Sequence, residues 1–395
     1  MYSCHKNSYL QGNYPEIKAG LINRCVHKAW GEISHIDEHD LNPPLKRLTS
    51  EQPQLLVNNV DVTRRPEGFG RWALPKLRRE LHHKDINVVI AALTSISDMV
   101  HNPERCFEGI RLKVIDRLAD LLVHEMPAIR ERTAYTLKVF AGVALGRQAI
   151  VDNQTLLINL LDKVEDDVAE VRIQVAACLE MISRFWLTAD VLVDSGFIQV
   201  LLTNLNDSPE IVATHLDTLD NMLYCNGRKI AIDEDAFGIL VKLFETTDTA
   251  VLTRACRVLV RLCELKEGRK LARHFQILQV LNKLLHNEIE EVYEAAAEAI
   301  MFCTIKSAEK ISASKLTDMP KRLVELSINR TTRRTQLFTI KALTSICEHP
   351  LVRQEVREKY YNAVKSIQVR DDIPEIKDCK NILMTLLAWV PQSKD

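Results

Sequence analysis

The sequence is poor in the residues that punctuate or stiffen a chain. Its 395 residues include only 12 glycines and 13 prolines, and aromatic residues make up 6%. So few turn-forming residues leave little room for a β-rich or low-complexity fold. Because 46% of the residues are hydrophobic and few of these are aromatic, we expect a mainly aliphatic core.

The sequence also lacks an excess of charge of either sign. It has 52 Lys and Arg residues against 53 Asp and Glu residues, which gives a formal net charge of -1. A protein that binds nucleic acid through an overall basic surface is therefore not expected.

Long apolar runs are absent as well. No stretch approaches the ~18 uninterrupted apolar residues of a membrane span, and the first residues, MYSCHKNSYLQGN, have no apolar signal region. We therefore expect a protein that is neither secreted nor membrane-spanning. The ten cysteines form no C-x-x-C pair. Cys178, Cys256, Cys303 and Cys347 fall in apolar stretches, which is typical of buried thiols in a reducing compartment.

What the sequence does contain is a helical stripe that returns seven times. In each copy, apolar or small residues stand at positions i, i+3 and i+6, which lie on one side of a helix. Between the middle residues the steps are 44, 42, 40, 40, 40 and 44 residues. The copies are Ile90-Leu93-Ile96, Ala134-Leu137-Phe140, Ala176-Leu179-Ile182, Leu216-Leu219-Met222, Cys256-Leu259-Leu262, Ala296-Ala299-Phe302 and Ile340-Leu343-Ile346.

A period of about 40 residues is typical of armadillo and HEAT repeats, in which each helical unit buries its apolar face by stacking on the next. A second signature has the same period: Gly146-Arg147, Gly227-Arg228 and Gly268-Arg269 are separated by 81 and 41 residues. We interpret these glycines as left-handed residues that end one helix before the next begins. The two signals predict an all-α, armadillo/HEAT-type α-solenoid of about seven repeats.

Three segments are expected along the chain. Residues 1–66 stand outside the repeat and are predicted to be a partly disordered extension with one amphipathic helix, from about Glu16 to Trp30. That helix either covers the open end of the solenoid or docks on a partner. Residues 67–391 are the predicted solenoid, closed by a capping helix within Ile373–Val390, and residues 392–395 are a tail.

Four segments resemble the radial spoke head 14 homologue family, which consists of armadillo-repeat proteins of the ciliary axoneme. They are RWALPKLRREL (Arg71–Leu81), EGRKLARHFQILQVLNKLL (Glu267–Leu285), AAAEAIMFCT (Ala295–Thr304) and KALTSI (Lys341–Ile346). The resemblance extends over about residues 71–391, and it is weaker between residues 155 and 235.

The resemblance implies a structural subunit of the radial spoke, with no catalytic activity and no cofactor. It would bind other radial spoke proteins in a complex on doublet microtubules of motile cilia or sperm flagella, in the cytoskeleton. No small-molecule substrate, nucleic acid or membrane is expected as a partner. The alternative is a cytosolic armadillo-repeat adaptor for trafficking or signalling outside the axoneme, because one fold serves many roles.

The repeat does not carry the peptide-binding ladder of nuclear-import receptors. That ladder requires an Asn two residues after each central stripe residue and a Trp four residues before that Asn. Here only Asn221 fits among the seven Asn positions, and no Trp stands at any Trp position. Capture of a basic peptide by that mechanism is therefore excluded.

Six basic residues on two stripe helices are the candidate partner-binding residues. If these helices line a concave face, the residues form a basic stripe that could hold an acidic segment of a partner. The alternative is a solvated face with local ion pairs, for instance with Glu264. The six residues are Arg254, Arg257, Arg261, Arg333, Arg334 and Lys341.

No residue pattern predicts catalysis or a metal site. Cys25, His27, His35 and His39 are close in sequence, but the Cys25-x-His27 spacing is not that of a zinc finger and no second cysteine pair follows. The sequence contains none of the common nucleotide-binding, metalloprotease or hydrolase motifs. We expect no catalytic residues, no cofactor and no bound metal.

Overall fold

A computed structural model describes residues 72–165, 167–224, 226–328, 332–369 and 374–389. The predicted extension over residues 1–66 and the tail over 392–395 lie outside the described residues. The chain divides into two compact units, Met1–Val114 and Ile115–Asp395. Within the described ranges there are 22 helices and no strand, which confirms the predicted all-α class.

In the first unit the structure describes three complete helices and the start of a fourth. These are α1 (Ala73–Glu80), α2 (Ile86–Met99) and α3 (Pro103–Arg111), and α4 (Val114–Leu121) begins at the last residue of the unit. The side chain of Asp85 accepts a hydrogen bond from the N–H of Asn87 and so caps the start of α2. Helix α2 carries the first predicted stripe, and it packs against α1.

Over residues 127–328 of the second unit, a long helix is followed each time by two shorter ones. We call the first of these two the short helix and the second the middle helix, by their order and not by their length. The long helices, called ladder helices below, are α5 (Pro127–Ala141), α8 (Ala169–Ser183), α11 (Pro209–Met222), α14 (Thr249–Cys263), α17 (Glu290–Cys303) and α20 (Arg333–Cys347). The short helices are α6 (Ala144–Val151), α9 (Trp186–Asp194), α12 (Gly227–Asp233), α15 (Lys266–His274) and α18 (Ser307–Ala313). The middle helices are α7 (Gln154–Glu165), α10 (Phe197–Thr203), α13 (Ala236–Leu243), α16 (Ile277–Leu284) and α19 (Met319–Ile328).

Two helices complete the described part of this unit, α21 (Pro350–Ser366) and α22 (Pro374–Ala388). Helix α22 packs against both α20 and α21, in the place expected for the predicted capping helix. Three of its side chains are buried in that contact, namely Ile376, Leu383 and Leu387.

The core follows the predicted stripe. Each ladder helix packs against the next one along the second unit. The stripe leucines Leu137, Leu179, Leu219, Leu259 and Leu343 are all 0% exposed. Because such a side chain is enclosed on every side, replacing it with alanine costs about 2–5 kcal/mol in typical cores.

Two of the seven predicted copies are wrong by one residue. In α2, Val89 is buried and Ile90 is only partly covered. In α17, Ile300 and Cys303 are buried whereas Phe302 is partly exposed. Alanines surround the stripe in α17, so its sequence does not distinguish one apolar face from the next.

The interpretation of the junction glycines is also wrong. Gly146 and Gly268 lie inside short helices, Gly227 begins one, and none of the three has a left-handed backbone. In the described residues the left-handed positions come one junction later. Lys113 lies directly before α4, and Gly196, Asp235 and Gln276 each lie directly before a middle helix. Only one of these four is a glycine, which is why the sequence pattern misplaced the turn.

Close approach explains two of the three junction glycines, Gly227 and Gly268, instead. A Cβ on Gly227 would lie 2.6 Å from the carbonyl oxygen of Met222 and 2.7 Å from Cδ1 of Ile198, and a Cβ on Gly268 would collide with the carbonyl oxygen of Leu262. Helices α12 and α15 therefore begin directly against the end of the preceding ladder helix. At these two junctions only a residue without a side chain fits.

The arginine that follows each of these glycines caps the same helix end. Arg147 Nη1 donates to the carbonyl of Ala141 at 2.8 Å, and Arg269 Nη1 donates to the carbonyl of Cys263 at 2.7 Å. Arg228 Nη2 donates to the carbonyl of Tyr224 at 2.6 Å. The last carbonyls of a helix have no partner within the helix, so a cationic donor there stabilises the helix end. The Gly-Arg signature is thus a joint between two helices.

A second set of arginines fastens one repeat to the next. Arg130 holds Asp167 through two hydrogen bonds of 2.6 and 2.5 Å, and Arg172 holds Asp207 through two of 2.7 and 3.0 Å. Arg172 also donates to the backbone carbonyl of Asp167. The hydrogen bond from Arg172 lowers the pKa of the Asp207 carboxyl. These paired contacts between guanidinium and carboxylate fix both the distance and the orientation of the turns.

Next to the second of these pairs lies a buried histidine, His215 of α11. It is 1% exposed, and burial lowers the pKa of its imidazole to about 4, although the nearby Asp207 favours the charged form. Its Nδ1 atom has no hydrogen-bond partner within the described part of the chain. His215 is therefore neutral in the folded protein near neutral pH.

We predict that changing Gly268 to Ala destabilises the protein. In an unconstrained helix this change would stabilise by about 1 kcal/mol, because alanine is the better helix former. The collision with Leu262 should outweigh that gain and lower the stability by about 1–3 kcal/mol. Denaturant unfolding should be compared with Lys270→Ala, an exposed change in the same helix. A variant at least as stable as the wild type would contradict the close approach.

We further predict that His215 makes the protein acid-sensitive. The folded-state pKa of about 4 lies below the ordinary value of 6.5. The stability that depends on neutral His215 is therefore fully present above pH 6.5 and is lost progressively as the pH falls from 6.5 to about 4. From near neutral pH to about pH 5 this site should cost about 2 kcal/mol. His215→Leu should lose less stability over that range than the wild type. Equal losses in the two proteins would show that His215 does not set the sensitivity.

Candidate protein-interaction surface

The candidate surface is formed by charged side chains on four successive ladder helices of the second unit, and we call it the ladder surface. The sign of the charge alternates from one helix to the next. Its acidic residues are Asp217 and Asp220 on α11 and Glu294 and Glu298 on α17, and its basic residues are Arg254, Arg257 and Arg261 on α14 and Arg334 and Lys341 on α20.

The two outer arginines of α14 are paired with the preceding ladder helix. Arg254 Nε lies 2.6 Å from Asp217 Oδ2, and Arg261 Nε lies 2.8 Å from Asp220 Oδ1. Arg261 Nη1 also lies 3.4 Å from Glu264, the local partner considered from the sequence. These carboxylates neutralise most of the charge that a basic stripe would offer to a partner.

The basic residues of α20 are paired in the same way. Arg334 lies 3.2 Å from Glu294 and 3.8 Å from Glu298 on α17, and Lys341 Nζ lies 2.7 Å from Glu375 on α22. Burial raises the pKa of the Glu298 carboxyl, although the positive charges of Arg334 and Arg257 oppose that shift. The ion pairs therefore connect α17, α20 and α22 in series.

Two of the six candidate residues differ from the rest. Arg257 and Arg333 are exposed, and neither makes an ion pair or a side-chain hydrogen bond to any residue in the described ranges. Arg257 stands in a cleft of about 260 Å³ that is also lined by Asp220, Val260, Arg261, Glu298 and Arg334. Arg333 is the first residue of α20, outside that cleft.

Aromatic rings lie against two of the cations, Arg261 and Arg334. The Arg261 guanidinium lies 4.6 Å from the centre of the Tyr224 ring, and that of Arg334 lies 5.6 Å from the centre of the Phe338 ring. A cation over an aromatic face gains about 0.5–1 kcal/mol at an exposed site. Arg261 is therefore restrained by an aromatic face as well as by two carboxylates.

The acidic partners were missed from the sequence, although a signal for them was present. Asp217 precedes Arg254 by 37 residues and Asp220 precedes Arg261 by 41, which is one repeat in each case. An acid and a base separated by one period lie on neighbouring helices of a solenoid. Searching the sequence at the repeat spacing would have found both pairs.

The described residues contain no group of three or more His, Cys, Asp or Glu side chains placed to hold a metal ion. Cys25, His27, His35 and His39 lie outside the described residues. Among the described helices no single one is long and apolar enough to cross a membrane. A bent pair, Trp186–Asp194 with Phe197–Thr203, meets the length and composition test only when the two are taken together.

No model of a known protein family matches the chain. Solved structures with a similar fold include an engineered protein of the Northeast Structural Genomics Consortium, with a TM-score of 0.71 and 21% identity over 80% of this chain and 78% of that chain. A designed armadillo repeat protein in complex with the peptide (KR)4 has a TM-score of 0.54 and 19% identity over 58% of this chain and 99% of its own.

Another similar structure is that of computationally designed armadillo repeat proteins for modular peptide recognition. It has a TM-score of 0.53 and 21% identity, and the match covers 58% of this chain and 99% of that chain. At these identities the similarity shows the fold alone. The chain is an all-α solenoid of the armadillo-repeat type.

We predict that the pair Arg261–Asp220 contributes to the stability of the joint between α11 and α14. Either single reversal of charge, Arg261→Asp or Asp220→Arg, should lower the free energy of unfolding. In a double-mutant cycle the variant that carries both changes should be more stable, by about 0.5–1 kcal/mol, than the sum of the two single effects predicts. Arg257→Asp is the matched control, since Arg257 has no ion pair in the described part of α14 and its neighbours. Strictly additive effects in the cycle would show that the pair makes no net contribution.

Proposed function

We propose that the chain is a non-enzymatic scaffold that holds other proteins in fixed relative positions. The observation that carries the proposal is the ladder surface, where most charged side chains on successive helices form ion pairs with one another. These pairs give a rigid face with a fixed pattern of charge. Such a face offers shape and charge to a polypeptide without a reactive group. Two of the similar structures are a designed protein with a bound peptide and designs for modular peptide recognition, which supports a polypeptide partner.

Within the ladder surface, Arg257 is the residue we assign to partner contact. It is exposed, it lies in a cleft, and its charge is not neutralised by an ion pair in the described residues. An acidic side chain of a partner could pair with Arg257 without breaking an ion pair among the described residues. Arg333 is also exposed and without an ion pair in the described residues, but it lies outside the cleft, so we assign it a secondary role. Arg254, Arg261, Arg334 and Lys341 serve mainly to join helices.

We further propose that the scaffold is a structural subunit of the axonemal radial spoke, in motile cilia or sperm flagella. The support for this assignment is the resemblance of four segments to the radial spoke head 14 homologue family, of which three, within Glu267–Leu285, Ala295–Thr304 and Lys341–Ile346, lie on α15 to α20. The partners would then be other radial spoke proteins on doublet microtubules. No small molecule, nucleic acid or membrane is part of the proposed role.

The test is removal of the protein from ciliated cells, followed by fractionation and imaging of the axoneme. We expect assembled doublets with incomplete or misplaced spokes and impaired beating, and the tagged protein should remain in the detergent-resistant fraction. In cells that lack the wild type, less of the Arg257→Glu variant than of the Arg257→Lys variant should be incorporated into the axoneme. A protein absent from axonemes, with normal motility after its loss, would favour a cytosolic adaptor for trafficking or signalling.

A further inference from the structure

A second surface, which meets the ladder surface at the contact between Tyr224 and Arg261, lies where ladder helices α5, α8 and α11 end. Five large apolar side chains are exposed there, and together we call them the apolar edge. They are Leu145 at 44%, Phe185 at 41%, Trp186 at 58%, Leu187 at 45% and Tyr224 at 61%. Single exposed apolar residues are common, but five at neighbouring helix ends, three of them aromatic, are typical of a protein-interaction site.

The five residues stand near equivalent positions of three successive repeats, and this places them at neighbouring helix ends. Leu145 on α6 and Leu187 on α9 follow the stripe residues Leu137 and Leu179 by eight residues each, and α6 packs against α9. Asn221 Nδ2 donates to Ser183 Oγ at 3.0 Å, which fastens the end of α11 beside the end of α8. Trp186 and Tyr224 each follow those bonded residues by three positions.

The exposed rings are held by the fold. The hydroxyl of Thr188 donates to the carbonyls of Ile182 and Phe185, which fixes the start of α9. The centres of the Phe185 and Trp186 rings lie 6.2 Å apart. Tyr224 is covered on one face by Arg261, and its carbonyl accepts a hydrogen bond from Arg228. Restrained aromatic side chains lose little conformational freedom on binding and commonly dominate interface energies.

The backbone segments that carry the edge are positively charged. Residues 142–148, 184–190 and 224–229 include four basic residues and one acidic residue. Of the bases, Arg184 is paired with Glu180 and Arg228 with Glu264. Arg147 donates only to backbone carbonyls, and Lys229 is exposed without an ion pair in the described residues. Positive charge therefore remains beside the apolar group.

We propose that the apolar edge binds an acidic amphipathic helix of a partner protein. The partner's apolar stripe would cover Phe185, Trp186 and Tyr224, and its carboxylates would face Arg147 and Lys229. A second copy of this chain is disfavoured, because pairing two such edges would bring cations against cations. The inference goes beyond the proposed function, and it holds whichever complex the chain belongs to.

The probe is a fluorescein-labelled synthetic peptide of about 18 residues, or five helical turns, with leucine on one face and glutamate on the other. Its binding to the full chain is measured by fluorescence anisotropy. Trp186→Ala with Tyr224→Ala should weaken binding about tenfold or more, because truncating buried aromatic anchors has effects of that size. Lys229→Glu should weaken it less. Ile158→Ala, which removes an equally exposed apolar side chain on α7, should leave binding unchanged.

Three results would overturn the proposal. One is equal binding of the acidic peptide to the wild type and the Trp186/Tyr224 variant, with both proteins folded by circular dichroism. Another is that the acidic peptide binds the wild type no more tightly than a peptide in which lysine replaces every glutamate. The third is co-sedimentation of the wild type, but not of the variant, with vesicles of anionic phospholipid, which would make the edge a membrane-binding surface instead.

Discussion

Stacking of one ladder helix on the next is the constraint on which the rest of the second unit depends. Leu179 is fully buried only because α8 has a neighbour on each side, and an isolated repeat would leave that side chain in water. The short and middle helices add buried side chains such as Leu192 and Leu201 to this core, and they bring the chain back to the start of the next ladder helix. The Gly-Arg joints and the Arg–Asp pairs refine a geometry that the stripe already requires.

Much of this fold could be predicted from the sequence, because burial imposes a period that survives variation of individual residues. The candidate site was less accessible. Arg254 and Arg261 were identified as basic residues on one helix, but their carboxylate partners are determined by how α11 and α14 face each other. Gly268 was misread for a different reason, since glycine serves both left-handed turns and close contacts. Only the three-dimensional packing distinguishes these two uses.

Alternating charge on the ladder surface has an effect that burial alone lacks. Apolar contacts between helices tolerate sliding, whereas Arg254 and Arg261 reach two specific carboxylates on α11 that lie about one helical turn apart. The pairs therefore specify the register of one helix against the next. A face built in this way presents the same pattern of side chains to any partner, which suits a scaffold better than a surface of free lysines would.

Arg172 on α8 contacts two turns. It donates a hydrogen bond to the carbonyl of Asp167 in the turn before α8, and another to the carboxylate of Asp207 in the turn before α11. Arg130 holds Asp167 from the previous repeat. Opening any one of these turns consequently releases contacts in the neighbouring repeat as well. Amide hydrogens from α5 to α11 should therefore exchange with solvent as a single cooperative block that is larger than one repeat. The block should end where the contacts of Arg130 and Arg172 with Asp167 and Asp207 end.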